Sequence, residues 1–264
     1  MAFTSDLTID EVLLIEEVGF EPVDLVLGSS YFHIGWQYSS WSANEELTQI
    51  SAMMLDARHT AMARMMEQTI AAKADGVLGL RLEIEREGHN AEFTAIGTAV
   101  RRRKGDGVQW RRPRGEPFSC DLSGADFWAL VRGGFRPMGL SCGVCVYHVA
   151  HQGLAGWFKT VGNNVEMPTF TQALYEAREL AMGRMQAEAW ALGGTAGLVG
   201  VTVEEGSHGW DSHVIEYSAL GTAIVPIGDP AHEVHESPTV VLVAQDWEPP
   251  PAGAPAVAAK PAAT

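Results

Sequence analysis

The residues of this chain that are best suited to metal chemistry lie in one short segment. Cys142, Cys145, His148 and His151 are four potential ligands within one ten-residue stretch. Thiolate sulfur and imidazole nitrogen are preferred ligands of zinc and of other soft transition metals. His33 joins the candidate set because the internal repeat described below aligns it with His148. The spacing therefore raises the hypothesis of a metal site.

The expected backbone conformation works against that hypothesis. The segment is rich in residues that favour strands, and side chains alternate between the two faces of a strand. Cys142 and His148 then share one face while Cys145 lies on the other, so the ligands meet only if Gly143 interrupts the strand. Buried thiols beside a hydrogen-bonded histidine are the competing interpretation, and both stay open.

Motifs of common enzymes do not point to catalysis. The chain has no Walker phosphate-binding loop, no dinucleotide-binding G-x-G-x-x-G and no H-E-x-x-H zinc motif. A nucleophilic Cys142 or Cys145 would need a base from another part of the chain, a condition that many proteins meet loosely. We therefore expect a non-enzymatic protein.

The chain contains two copies of one unit, as self-comparison shows. Residues 57–65 align with 177–185 at six identical positions of nine, and residues 97–99 match 221–223. The separation of equivalent residues grows from 115 near the start of the unit to 124 near its end. The second copy therefore has longer loops but keeps the same order of elements.

Hydrophobic periodicity predicts the same elements in each copy, a strand followed by a helix and two further strands. The helices are expected to start at capping boxes at residues 42–45 and 169–172, and to end near residues 72 and 191. The expected strands are 23–34, 77–85 and 92–100 in the first copy, and 140–149, 198–204 and 213–225 in the second. Each copy is thus predicted to be a β-α-β-β unit.

Each copy resembles the YbjQ-like family, small domains described as heavy-metal-binding. The resemblance rests on the late-helix stretches 177–200 and 72–79, on the closing Gly-Thr-Ala of each copy, and on residues 155–163. It implies an α+β, dodecin-like fold in which one helix packs on a small sheet, and subunits that close into rings, typically of five. Two domains per chain depart from that pattern, so stacked rings and a pseudo-sixfold trimer are alternatives.

The predicted organisation has five parts. They are domain 1 (6–100), a basic linker (101–117), domain 2 (118–227), an extra strand segment (228–248) and a disordered Pro/Ala-rich tail (249–264). The linker holds seven of the 18 Lys and Arg residues, together with Trp110. Because the net charge is −15, we expect it to bind the chain's own acidic surface or a neighbouring subunit rather than nucleic acid. Linker and tail are the expected contact points for a protein partner.

Composition limits the remaining classes of protein. With 264 residues, 46% of them apolar, the chain is long enough to bury a core in each of two domains. No apolar run reaches the roughly 18 residues of a membrane span, and the N-terminus lacks a signal sequence. We expect a cytoplasmic protein whose three cysteines are reduced thiols.

Assembly is the function that the sequence favours. One helix on a three-stranded sheet leaves a sheet face and strand edges uncovered, and such surfaces normally pair with another copy. Methionines around the helices are candidates for a homo-oligomer interface, with core packing as the competing interpretation: Met53, Met54, Met62, Met65, Met66, Met182 and Met185. The sequence thus predicts a self-assembling scaffold or binding protein. A metal-binding or metal-sensing protein that uses Cys142, Cys145 and His148 is the alternative.

Overall fold

The computed structural model describes residues 3–35, 43–103, 107–150, 167–193, 195–207 and 213–228. It contains helices α1 (Ile9–Glu17), α2 (Thr48–Ala71), α3 (Gly124–Arg132) and α4 (Pro168–Ala191), and strands β1 (Phe20–His33), β2 (Glu45–Glu46), β3 (Gly76–Glu87), β4 (Asn90–Arg102), β5 (Phe118–Ser119), β6 (Phe135–His148), β7 (Gly197–Ser207) and β8 (Val214–Pro226). None of the described helices combines the length and apolar character that a membrane span requires. The predicted tail, and the extra strand segment beyond residue 228, lie outside the described residues.

The strands form two four-stranded sheets. Sheet A has the order β1-β4-β3-β5, and sheet B has the order β2-β6-β8-β7. The three long strands of each sheet are antiparallel, and the fourth is a two-residue strand supplied by the other half of the chain. The α+β fold with two tandem β-α-β-β units is therefore confirmed, and the two units are joined through their sheets.

A short helix precedes the first long strand of each unit, which the β-α-β-β prediction did not include. α1 begins after Thr8, whose hydroxyl accepts the backbone N–H of Glu11 while the Glu11 carboxylate accepts the backbone N–H of Thr8. α3 begins after Ser123, whose hydroxyl accepts the backbone N–H of Asp126. Both are capping sequences, which the sequence shows and which would have located these helices.

The capping boxes predicted for the two long helices are wrong. α2 begins at Thr48, after Leu47, while Glu45 belongs to β2 and residue 42 lies outside the described residues. The second predicted box lies inside α4, and neither helix has a side-chain cap. The backbone N–H of Leu47 instead donates to the carbonyl oxygen of Val146 in sheet B at 2.8 Å. The start of α2 is therefore determined by a tertiary contact rather than by a local cap.

Helix α2 lies between the two sheets. It packs on Val26 and Phe93 of sheet A and on Val144 and Val146 of sheet B. Helix α4 covers the opposite face of sheet B, where it packs on Cys145. The layers therefore run sheet A, α2, sheet B, α4. Because sheet B is covered on both faces, the last 12 residues of β6 are all buried, whereas burial alternates along β1.

Each long helix approaches its own sheet most closely at a glycine that the repeat shares. A Cβ atom on Gly28 of β1 would lie 2.3 Å from the carbonyl oxygen of Ala61 in α2. A Cβ atom on Gly143 of β6 would lie 1.9 Å from the carbonyl oxygen of Ala181 in α4. These two glycines let a helix backbone rest directly on a strand, so the helix position in both units depends on them.

The segment between the two units packs into a core of its own. Trp110 is 2% exposed, and its ring meets that of Phe20 edge-to-face with the centroids 4.9 Å apart. Phe118 and Phe127 complete this aromatic cluster. Since the indole is covered, it offers no face on which a nucleic acid base could stack.

Arginines of the basic linker pair with acidic residues of the first unit. Arg101 and Arg103 contact Glu21 at 2.8 and 3.2 Å, and Arg111 contacts Asp75 at 3.2 Å. β4 continues to Arg102, so the first two residues of the predicted linker belong to a strand. These contacts are of the kind that the sequence predicts, with the chain's own acidic surface.

The close contact at Gly143 can be tested by adding one methyl group. We expect Gly143→Ala to lower the free energy of unfolding by roughly 1–3 kcal/mol, because the new Cβ overlaps the backbone of α4. Gly183→Ala is the matched control, since it adds a methyl group to α4 at a point where no atom of the described residues lies within 4 Å. This control should gain about 0.5–1 kcal/mol from helix propensity. Urea unfolding followed by circular dichroism measures both, and equal stabilities would contradict the close packing.

Candidate functional site at the junction of the two units

Backbone hydrogen bonds hold the start of α2 against β6. The hydroxyl of Ser51 accepts the backbone N–H of Val146 at 2.8 Å, and Leu47 N–H donates to the carbonyl oxygen of the same residue. β2 continues this pairing to Tyr147 and His148. From Val146 to His148, the edge of β6 is therefore paired with the other unit, which blocks this part of the edge to further pairing.

An ion pair is buried where α2 faces sheet B. Arg58 of α2 lies 3.4 Å from Glu216 of β8, and the two side chains are 3% and 5% exposed. Arg86 of β3 contacts the other carboxylate oxygen of Glu216. Burial lowers the pKa of Arg58, and the charge of Glu216 opposes that change. Among the described residues, Nη1 of Arg58 has no hydrogen-bond partner, so the compensation of its charge rests on Glu216.

His59, Cys142 and Glu188 meet at the same junction, from α2, β6 and α4 respectively. Nε2 of His59 lies 2.9 Å from Oε1 of Glu188 and 3.6 Å from Sγ of Cys142. Oε2 of Glu188 reaches round the edge of β6 and accepts the backbone N–H of Cys142 at 2.9 Å. The three potential ligand atoms lie within 4.8 Å of one another. This is a set of nitrogen, sulfur and oxygen donors of the kind that zinc accepts.

Charge and burial shift the pKa values of His59 and Cys142 for different reasons. The hydrogen bond to Glu188 raises the pKa of His59, while burial and the nearby Arg58 lower it. The charge of Asp56 adds to the increase. Burial raises the pKa of Cys142, so its thiol is protonated near neutral pH.

The cluster opens into a cleft of about 360 Å³. The side chains of His59 and Glu188 are 43% and 24% exposed, whereas Cys142 is buried behind them. Met62 and Met66 line the apolar part of the cleft. An ion or a small ligand can therefore reach the histidine and the carboxylate from solvent.

The two thiols of the Cys-x-x-Cys sequence lie on opposite faces of β6. Pairing of β6 with β8 is regular over residues 139–148, so Gly143 does not interrupt the strand. Cys142 faces His59 of α2, and Cys145 belongs to the cluster packed against α4. The two sulfurs therefore cannot bind one ion, as strand alternation requires.

The predicted histidine ligands lie apart from these thiols. Nδ1 of His148 is 3.3 Å from the carbonyl oxygen of Ala43, and Nδ1 of His33 is 3.0 Å from Oδ1 of Asn90. His151 lies outside the described residues. Of the predicted ligand set, only Cys142 belongs to a group of three potential ligands within the described ranges.

Sequence reasoning missed His59 and Glu188. They lie on two helices and are 129 positions apart, so no local motif connects them. The repeat carries the one signal that could have found them. In the other copy, Glu179 stands at the position of His59, and Gln68 stands at the position of Glu188. Both positions therefore differ in their ionisable groups between the two copies.

The predicted interface methionines divide into two groups. Met54, Met65 and Met185 are at most 1% exposed and belong to the core of the single chain, because they face the helix's own sheet. The others are partly buried and pack against the rims of these clusters: Met53, Met62, Met66 and Met182. Only this second group remains accessible to a partner.

Two features of the sequence that suggest a nucleophile lie in unsuitable surroundings. Gly139 to Gly143 has the G-x-S-x-G spacing, but Ser141 is buried in mid-strand and donates to the carbonyl oxygen of Gly221 at 3.1 Å. A nucleophile elbow requires a sharp turn from strand to helix. Burial also raises the thiol pKa of all three cysteines: Cys120, Cys142 and Cys145. Neither feature therefore supports catalysis.

Removing one charge tests the buried ion pair. We expect Glu216→Gln to lower the free energy of unfolding by about 3–5 kcal/mol, because Arg58 keeps a buried charge without its partner. Glu83→Gln is the matched control, since Glu83 is 59% exposed and pairs with Arg81 at the surface. Its loss should stay below about 1 kcal/mol. Urea midpoints measure both, and similar losses would contradict a buried pair.

Comparison with known proteins bears on both units. The family model YbjQ_1, described as putative heavy-metal-binding, matches residues 42–103 and 142–226, more than half of the chain. The encapsulin nanocompartment protein Rv1762c of Mycobacterium tuberculosis (strain ATCC 25618 / H37Rv) is 44% identical over 226 residues, 84% of this chain and 86% of the relative. The resemblance seen in the sequence is confirmed, and the chain belongs to the YbjQ family, with one such domain in each unit.

Proposed function

We propose that this chain is a non-enzymatic protein that assembles with further copies of itself. In this proposal, the contact between two copies resembles the contact between α2 and sheet B within one chain. The observation that carries the proposal is the position of α2, which covers one face of sheet B. Among the residues that the structure describes, no element covers the equivalent face of sheet A or the equivalent face of α4, where Leu27, Tyr31 and Tyr175 are exposed. A second copy can fill them in the same way.

The outer face of sheet A is defined by Leu27, Tyr31 and Glu92. Leu27 and Tyr31 are 45% and 61% exposed, while their equivalents Cys142 and Val146 are 1% and 0% exposed beneath α2. Large apolar side chains that lie together on a surface are a common mark of an interaction site. The contrast between the two sheets supports a missing layer on sheet A.

The outer face of α4 is defined by Tyr175, Arg178 and Met182. Tyr175 is 55% exposed. At the 120-residue offset of the repeat, Arg178 and Met182 correspond to Arg58 and Met62, which lie at the junction with sheet B. α4 therefore offers a second copy a surface like the one that α2 places on sheet B.

The two open faces carry complementary charges. Arg178 corresponds to Arg58, and Glu92 corresponds to Glu216, so together they reproduce the buried pair of the junction. Thr171 supplies a hydroxyl at the helix position that holds the edge of β6 in the existing contact. Seating α4 of one copy on sheet A of the next brings these groups together.

A contact of this kind is heterologous, because a helix on one copy meets a sheet on another. Heterologous contacts close into a ring when the rotation permits, and otherwise extend as a filament. We propose a ring. Since each chain adds two domains, a ring of whole chains has an even number of domains, as in a pseudo-sixfold trimer. Stacked rings with one domain of each chain per ring are the other arrangement.

The charge match gives the sharpest test of assembly. We expect Arg178→Glu to weaken self-association about tenfold or more, because two carboxylates then meet across the contact. Glu92→Arg should do the same. The double variant Arg178→Glu with Glu92→Arg restores opposite charges and should assemble again. Native mass spectrometry and light scattering measure the assembly in each case.

Arg114→Glu is the matched control, because it makes the same charge change at an exposed linker position. It should leave the assembly unchanged. A wild-type chain that stays monomeric at micromolar concentration would overturn the proposal. A double variant that fails to reassemble, although each single variant folds, would exclude this particular contact.

We further propose that the assembled chain takes part in an encapsulin nanocompartment. The name of the 44% identical relative supports this, as does the match over most of both chains.

We expect the protein to co-sediment with purified encapsulin particles. If the predicted partner contact lies in the tail, loss of residues 249–264 should abolish co-sedimentation. Free sedimentation of the full chain beside intact particles would contradict it. The cytoplasmic location stays a prediction.

A further inference from the structure

We propose that His59, Cys142 and Glu188 form a binding site for a borderline-soft divalent cation, zinc in particular. The site joins the two units, since one ligand comes from α2 and the others come from β6 and α4. It differs from the site that the Cys-x-x-Cys sequence predicts, with which it shares only Cys142. The inference is independent of self-assembly, because all three residues belong to one chain.

The distances suit a single small ion. Zinc binds imidazole nitrogen and carboxylate oxygen at about 2.0–2.2 Å and thiolate sulfur at about 2.3 Å. Nε2 of His59 already lies 2.9 Å from Oε1 of Glu188 and 3.6 Å from Sγ of Cys142. These are separations of the size found between neighbouring ligands of one ion, so small side-chain movements suffice. The ion would replace the proton that His59 shares with Glu188.

Three protein ligands leave one coordination position of a tetrahedral ion for solvent or for a small ligand. The cleft of about 360 Å³ supplies the approach, and the half-exposed His59 lines it. Behind the cluster, Oε2 of Glu188 is held by the backbone N–H of Cys142 at 2.9 Å. That hydrogen bond orients the carboxylate, as supporting contacts do at known metal sites.

The repeat provides an internal comparison that separates structure from binding. Gln68 accepts the backbone N–H of Leu27 at 3.1 Å, which is the same helix-to-strand contact that Glu188 makes with Cys142. A neutral amide therefore satisfies the structural requirement. The carboxylate, the thiol and the histidine are additions found only at the junction between the units. Structure alone does not account for them.

Binding of the cation releases protons from two of its ligands. The Cys142 thiol loses its proton to bind through sulfur, and His59 binds as neutral imidazole through Nε2. Both protons leave for solvent. The positive charge of the ion, together with the nearby Arg58, offsets the burial of the thiolate and of Glu188. Asp56 is the other charged group that acts on the histidine.

Zinc titration of the full-length protein tests the site, with Co²⁺ as a spectroscopic probe. We expect one Zn²⁺ per chain by calorimetry, a rise in unfolding temperature with added Zn²⁺, and a sulfur-to-cobalt charge-transfer band with Co²⁺. Glu188→Gln copies the residue of the other unit and keeps the backbone contact. It should weaken binding by about tenfold or more while leaving the metal-free protein folded. Cys142→Leu should abolish the charge-transfer band.

Cys145→Ala is the matched control, because it removes the other thiol of the same strand from the opposite face. It should keep both the stoichiometry and the charge-transfer band. The inference is overturned if the wild type binds no Zn²⁺, or if Glu188→Gln and Cys142→Leu bind as tightly as the wild type. It is also overturned if Cys145→Ala loses the band. Light scattering on the same metal-free samples reports assembly separately, so a failure here leaves that proposal standing.

Discussion

The burial of α2 between two sheets is the contact on which the rest of this structure depends. If α2 packed on sheet A alone, one face of β6 would be exposed to solvent. The continuous burial along β6 would then be lost. The same layer removes both Arg58 and Glu216 from water, so their ion pair is buried. Each unit also completes the other's sheet with a two-residue strand.

The same layer explains why the two copies have diverged where they have. Positions of β1 that face outward carry the exposed residues Leu27 and Tyr31, whereas the equivalent positions of β6 carry Cys142 and Val146 beneath a helix. A buried junction within one chain permits small apolar residues and a thiol. The outer face of sheet A carries larger and more exposed side chains at the same positions. The tandem arrangement thus buries the contact between α2 and sheet B within one chain.

Polar groups at the junction were accessible to sequence reasoning only in part. The strand alternation that separates Cys142 from Cys145 follows from the backbone period and could be predicted. The meeting of Cys142 with His59 and Glu188 could not, because a helix of the first unit and a helix of the second must both reach one strand edge. In the same way, Leu47 and Ser51 attach α2 to Val146, which no local capping rule describes.

The sequence by itself determined the repeat, the order of the three long strands and the long helix in each unit, the ends of both long helices and the family. These features rest on local periodicity and on identities that survive in the chain. The tertiary structure decided where the helices begin, which strand faces are covered and which side chains share a cleft. Those outcomes depend on burial against distant residues, and the free energy of such contacts is not written in any short stretch of sequence.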